Sequence, residues 1–130
     1  MNSAVQDIKD MLVAESLGLI FGTNLFVGKE PDHPDECATL FETAGLPPQL
    51  TFDASERYER PSFQVRVRSN SYLTGWSLIH NIMCALHGRA QETWNGTLYS
   101  VIYCSSGPAM LDWDQNGRVR FVINFNLQRR

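Results

Sequence analysis

Lysine is almost absent from this chain: Lys9 and Lys29 are the only two. Acidic residues outnumber basic ones, and the formal net charge is −3. Phosphate binding needs a clustered basic footprint, so the chain makes a poor general nucleic-acid binder. Long apolar runs are missing as well. The first helical stretch, Ala4 to Leu17, carries Asp7, Lys9, Asp10 and Glu15, and therefore reads as neither a signal peptide nor a membrane span. The three cysteines, Cys37, Cys84 and Cys104, are an odd number, and the expectation is reduced thiols in a cytosolic fold. There is no phosphate-cradling G-x-x-x-x-G-K loop, no G-x-G-x-x-G and no G-x-S-x-G nucleophile elbow.

What is present reads as one domain over residues 1–130, long enough for a single core. Ser3 with Gln6 fits a capping box, and Val5, Ile8, Met11 and Leu12 form a helical stripe that Gly18 can close. Leu25–Val27 and Cys37–Glu42 read as strands. Lys29–Glu36, KEPDHPDE, is turn chemistry. Pro47 and Pro48 mark a loop, because proline cannot join a central ladder, and the aperiodic stretch from Gly45 to Glu59 reads as a long functional loop. A strand follows over Arg60–Asn70. A second helix runs from about Ser71 to His87, with Leu73, Trp76, Ile79, Met83 and Leu86 as its stripe and Gly88 as its stop. Thr97–Cys104 is β-prone, Ser105–Pro108 reads as a turn, and Arg118–Leu127 alternates strictly. The expected fold is α+β, a mostly antiparallel β-sheet with two helices packed on one face and the other face polar.

Two constellations resemble metal sites. His80, Cys84 and His87 share a helix face and are ligands zinc accepts. The same face carries Ile79, Met83 and Leu86, and no fourth ligand lies near, so the expectation is no metal and no zinc enzyme. Asp112, Asp114, Asn116 and Gly117 imitate the opening of a calcium loop, but its closing bidentate Glu position holds Ile123. Asn116-Gly117 reads instead as a tight turn into the last strand, and Asn95-Gly96 as another. Paired carboxylates such as Asp35 and Glu36 sit in a polar loop. Catalytic residues, metals and cofactors are therefore all expected to be absent.

The arginines ask for an explanation. In RPSFQVRVRSN, Phe63, Val65 and Val67 alternate with Gln64, Arg66 and Arg68, and Arg118 and Arg120 alternate with Val119 and Phe121. Such residues can simply keep a sheet face soluble and block edge pairing. They can also bind carboxylates in a forked geometry. Residues 1–60 hold eleven acidic and four basic side chains, a net of −7, and residues 61–130 a net of +4. A chain of this kind can present faces of opposite sign, which favours head-to-tail contact between copies. The candidate interface residues are Arg66, Arg68, Arg118, Arg120, Trp113, Asp32, Asp35 and Glu36, with Trp113 as an apolar anchor in a polar turn.

From residue 20 to 127 the sequence resembles the small minor capsid or tail terminator proteins of long-tailed bacteriophages. The resemblance rests on PDHPD (Pro31–Asp35), QVRVR (Gln64–Arg68), HGR (His87–Arg89), NGTLY (Asn95–Tyr99) and the ending N-G-R-x-x-F-x-x-N-F (Asn116–Phe125). Phe41 and Ala44 depart from it where related sequences often read tyrosine and glycine. It implies a sheet with helices on one side, assembled as a hexameric ring that caps the tail tube. The ring stops polymerisation of the tube protein and offers a surface to the head-completion or connector protein. The resemblance further implies that genome DNA passes through the lumen without sequence-specific binding, that no membrane is involved, and that the product, assembled in the host cytoplasm, resides in the tail or neck of the virion. Another neck protein, a head-closure or tail-completion factor, would share much of this composition.

Overall fold

The computed structural model describes residues 1–49 and 58–130. The elements in order are α1 (Ala4–Ala14), β1 (Leu25–Val27), β2 (Cys37–Gln49), β3 (Tyr58–Ser69), α2 (Tyr72–Leu86), β4 (Ala90–Trp94), β5 (Thr97–Trp113) and β6 (Val119–Arg129). The six strands form one sheet in the order β1-β2-β3-β6-β5-β4. Every pairing is antiparallel except β1 with β2, so the sheet is mixed.

Strict alternation does the work at the centre. Phe63, Val65 and Val67 of β3 and Val119, Phe121, Ile123, Phe125 and Leu127 of β6 are all buried on one face. The Phe63 and Phe125 rings stack there with centroids 4.9 Å apart. Both helices cover this face. α1 contributes Val5, Ile8, Met11 and Leu12, and α2 contributes Ile79, Ile82 and Leu86 to the same core. At the start of α1 the Gln6 side chain accepts a hydrogen bond from the Ser3 backbone N–H at 2.9 Å. The helix stops at Ala14, short of Gly18; Ser16, just past the C-cap Glu15, and Gly18 both take positive φ.

The stripe on α2 is turned from the expected one. Its buried residues are Gly75, Ile79, Ile82 and Leu86, while Leu73 and Trp76 are exposed. Gly75 explains the rotation, because the helix lies so close to the sheet there that an added Cβ would sit 2.9 Å from the Phe121 ring. A valine at 75 must push Phe121 out of its edge-on contacts with Tyr72 and Trp76. Gly75→Val is expected to destabilise the fold by about 3 kcal/mol through overpacking, checked by chemical denaturation.

Two strands outrun their sequence signals. β2 continues through Pro47 and Pro48 to Gln49, and β5 continues through Ser105–Pro108 to Trp113. Each breaks register where the turn residues lie: between Thr43 and Leu46 and between Leu46 and Gln49 in β2, and around Ser106 in β5. A bulge leaves residues outside the ladder, which is how a long strand accommodates prolines. Glu42–Gln49 are all exposed along the far end of β2, while the start of β3 beside them stays paired with β6 at Glu59 and Arg129. Of the long loop expected over Gly45–Glu59, the two ends are strand and the middle lies outside the described residues.

Candidate functional site

The face of the sheet opposite the helices is polar, as its alternation requires. Gln64 Nε2 donates to Asn124 Oδ1 at 3.0 Å, Ser62 Oγ to Asn126 Oδ1 at 2.5 Å, and Asn124 Nδ2 to Ser106 Oγ at 3.2 Å. These cross-strand ties lead toward the arginines at one end of the face.

Arg68 and Arg120 stand opposite each other in the β3–β6 ladder, and Arg118 immediately precedes β6. Like charges directly opposite would repel, so each needs its own anions. Arg120 forks onto Asp112 of β5, with Nε to Oδ1 at 2.6 Å and a terminal nitrogen to Oδ2 at 2.5 Å. Arg118 donates to Asp114 Oδ2 at 2.7 Å, to the Asp32 carbonyl at 2.6 Å and to Asp35 Oδ1 at 3.1 Å. Arg68 donates to the Pro34 carbonyl at 2.7 Å and to Glu30 Oε1 at 3.2 Å. Glu36 accepts from the Asn70 backbone N–H at 2.9 Å, and Asp35 from the Asn70 side chain at 3.0 Å. The acidic Lys29–Glu36 segment is thus fastened onto the end of the sheet by this chain's own arginines.

These are the residues picked out from sequence as an interface, and the structure divides them. Arg68 is 3% exposed and Arg118 4%, both with intramolecular partners. Arg66 differs. Among the described residues it makes no salt bridge. Its guanidinium lies 5.1 Å over the Phe41 ring, and its Nε donates to Gln64 at 2.8 Å. Trp113 closes β5 rather than sitting in the turn, and it is half exposed. Its ladder partner, Val119, belongs to the helix-covered face. Glu30, Asp112 and Asp114 complete the arginine cluster and were not among the expected interface residues; Asp112 and Asp114 stood out in sequence only as an imitation of a calcium loop.

A cleft of about 350 Å³ opens over the cluster, lined by Glu30, Asp32, Arg66, Asp114, Asn116 and Arg120 among others. Its lining mixes both signs, unlike a phosphate cradle. The Asn70 hydrogen bond and Arg118 hold Asp35 below the usual carboxylate range, and Arg120 does the same for Asp112. Burial pushes Asp114 upward, but hydrogen bonds from the Arg118 and Asn116 backbone and the Arg118 guanidinium outweigh it. Because these pKa values are lower in the folded state, their stabilisation is complete above the ordinary value of 3.8 and fades as pH falls below it. The protection of the Asn116 amide, which donates to Asp114 at 2.9 Å, relative to its intrinsic exchange rate at each pH is expected to fall as the pH is lowered below 3.8. Arg118→Gln should flatten that response.

The helical histidines do not converge. His87 Nδ1 accepts the Cys104 backbone N–H at 2.9 Å, and Cys84 Sγ lies 3.9 Å from His80 Nδ1. Among the described residues no group of His, Cys, Asp and Glu has the placement to hold a metal ion. No helix among them is long and apolar enough to cross a membrane.

A second polar centre went unnoticed in the sequence. Asp7 is fully buried beneath α1 and accepts from the Tyr99 hydroxyl, from Asn95 at 2.6 Å and from Asn2 at 3.1 Å. Arg129 reaches the Tyr99 hydroxyl at 3.3 Å, the Asn2 carbonyl at 2.9 Å and Glu59 at 3.1 Å. Burial, then the bond to Asp7, drives the Tyr99 hydroxyl well above its ordinary pKa. Elsewhere Arg89 joins Glu15 after α1 to Glu92 of β4.

Fold and site together describe a small α+β protein whose arginines serve its own scaffolding, with its surface left for contact. Over residues 4–130 the chain matches the family model described as bacteriophage tail terminator protein, and it belongs to that family. It is a structural protein of the phage tail. The fold is similar to a chain in a solved virion of a native gene transfer agent particle, at TM-score 0.69 and 12% identity, covering 98% of this chain and 94% of that one. A second solved chain is similar at TM-score 0.53 and 10% identity, over 94% of this chain and 88% of that one. No curated protein matches the chain.

Proposed function

We propose that this protein is a tail terminator that assembles as a hexameric ring on the end of the tail tube. The ring halts polymerisation of the tube protein and presents its other face to a head-completion or connector protein. Genome DNA passes through its lumen, and the protein resides in the tail or neck of the virion after assembly in the host cytoplasm. The family match across residues 4–130 carries this reading. The likeness to a chain of a gene transfer agent virion supports it at the level of fold. The role is structural and non-catalytic.

Recognition of a tube end must involve one ring face only, since a two-sided copy of the tube would propagate it. The fastened Lys29–Glu36 segment and the end of β5 at Trp113 are the surfaces assigned to that face. Trp113→Ala is expected to leave the ring intact and weaken its hold on tube ends, giving overlong tubes when tube protein polymerises with the variant. Tubes of normal length in the complete absence of the protein would remove the assignment.

A further inference from the structure

The outer edge of β5, the side away from β6, is covered along only part of its length. β4 pairs with it from Thr97 to Val101, the backbone of Gly88 and Arg89 takes Ile102, and His87 Nδ1 takes the Cys104 N–H. From Ser105 to Trp113 no strand and no loop hydrogen bond among the described residues reaches that side. Pro108 and the register shifts around Ser106 spoil the first part of this edge. Ala109–Trp113 remains as its usable length, roughly 17 Å. A further shift between Met110 and Asp112 leaves Leu111 outside the ladder to β6, and a bulge residue keeps its backbone groups unpaired. Open edges are commonly blunted by charge. The only charge here is Asp112, and Arg120 takes both of its oxygens.

The same corner is apolar. Met110 stands opposite Phe121 and Trp113 opposite Val119, so both belong to the helix-covered face, yet each is half exposed. The rings of Tyr72 and Trp76 at the start of α2, themselves partly exposed, lie against that same Phe121. α2 carries no Asp, Glu, Lys or Arg. Tyr72, Trp76, Met110 and Trp113 thus form an apolar shelf beside the open edge, of the type that marks a contact surface. A helix laid on the shelf would leave the edge unpaired. An extended segment satisfies both, because its backbone completes the ladder and its alternate side chains fall on the shelf.

A second copy has no such segment among its described residues. Its other edges are β1, three residues long, and β4, whose exposed positions are Ala90, Gln91 and Thr93. The end of β2 holds Pro47 and Pro48, which have no N–H to donate. Two β5 edges meet only about a two-fold axis, and an isologous contact closes a pair rather than a ring.

We propose that Ala109–Trp113 receives, as an added strand, an extended segment of a different protein with apolar side chains at alternate positions. This gives the end of β5 a definite mode of contact. It needs no ring, so it stands or falls apart from the reading above.

The probe is a capped peptide of alternating valine and threonine with a lysine at each end, added to the full-length protein. Amide exchange is followed residue by residue by NMR. Amides within Ala109–Trp113 are expected to gain at least tenfold protection with the peptide bound. Methylating the peptide's backbone nitrogens leaves its side chains unchanged and is expected to weaken binding at least tenfold. Met110→Asp alters an exposed position, so it should unfold at the wild-type temperature and bind the peptide at least fivefold more weakly. Unchanged exchange at these amides would overturn the proposal. So would equal binding of the methylated peptide, since the shelf alone would then be the site, or equal binding by Met110→Asp. Light scattering tests the remaining occupant: wild type that forms a dimer which Met110→Asp abolishes would place a second copy on this edge and overturn the proposal as well. Every readout is made on the subunit itself, so failure of the ring reading would leave each result unaltered.

Discussion

Arg68→Glu is expected to unfold the protein under conditions where Arg66→Glu leaves it folded. The two residues sit two apart on one strand face and look equivalent in sequence. Arg66 lies partly exposed over Phe41, and its replacement should cost no more than about 0.5 kcal/mol, as for an ordinary surface position. Arg68 is 3% exposed, and its guanidinium holds Glu30 and the Pro34 carbonyl. A glutamate there would face Glu30 with like charge and release the Lys29–Glu36 segment. Breaking such a buried pair costs about 3–5 kcal/mol, a large share of a small domain's stability. Denaturant midpoints of the two single variants test this. Equal midpoints would mean that the segment is not held as described.

Asp7→Ala is the second large effect, expected at about 3 kcal/mol. The alanine removes the acceptor for Tyr99, Asn95 and Asn2 at once, and a buried donor left without a partner costs about 1–3 kcal/mol. Tyr99→Phe removes one donor and leaves Asp7 with two, so it should cost about 1 kcal/mol. Thermal or urea unfolding of the two variants distinguishes a connected network, in which the double variant costs less than the sum, from independent bonds.

The parts of the fold legible in sequence were those in which one period dominated. β3 and β6 announced themselves because Phe63–Val67 and Val119–Leu127 alternate without interruption, and α1 because Val5, Ile8, Met11 and Leu12 share a stripe. β2 and β5 were cut short because Pro47, Pro48 and Ser105–Pro108 carry turn chemistry. Bulges absorbed them, and a bulge has no single-residue signature. The α2 stripe was misplaced because its closest approach to the sheet is made by Gly75, whose contribution is the absence of a side chain. The arginine cluster was half visible: the alternation placed Arg66, Arg68 and Arg120 on one face. Their partners lie 38 residues away for Arg68 and Glu30, or across a bulged strand for Arg120 and Asp112. Asp7 gave no signal at all, because a carboxylate in the first turn of a helix reads as a dipole partner on the surface.

The position of β6 carries a consequence for when this protein can fold. It is the sixth strand made, yet it sits between β3 and β5 and joins the β1-β2-β3 half of the sheet to the β5-β4 half. Until residues 119–129 have left the ribosome, those halves are separate hairpins with open edges and a divided core. Neither half could bury the apolar face that the helices cover. A chain that stops before β6 therefore has neither a continuous sheet nor a joined core, and folding to the native state waits on that one strand.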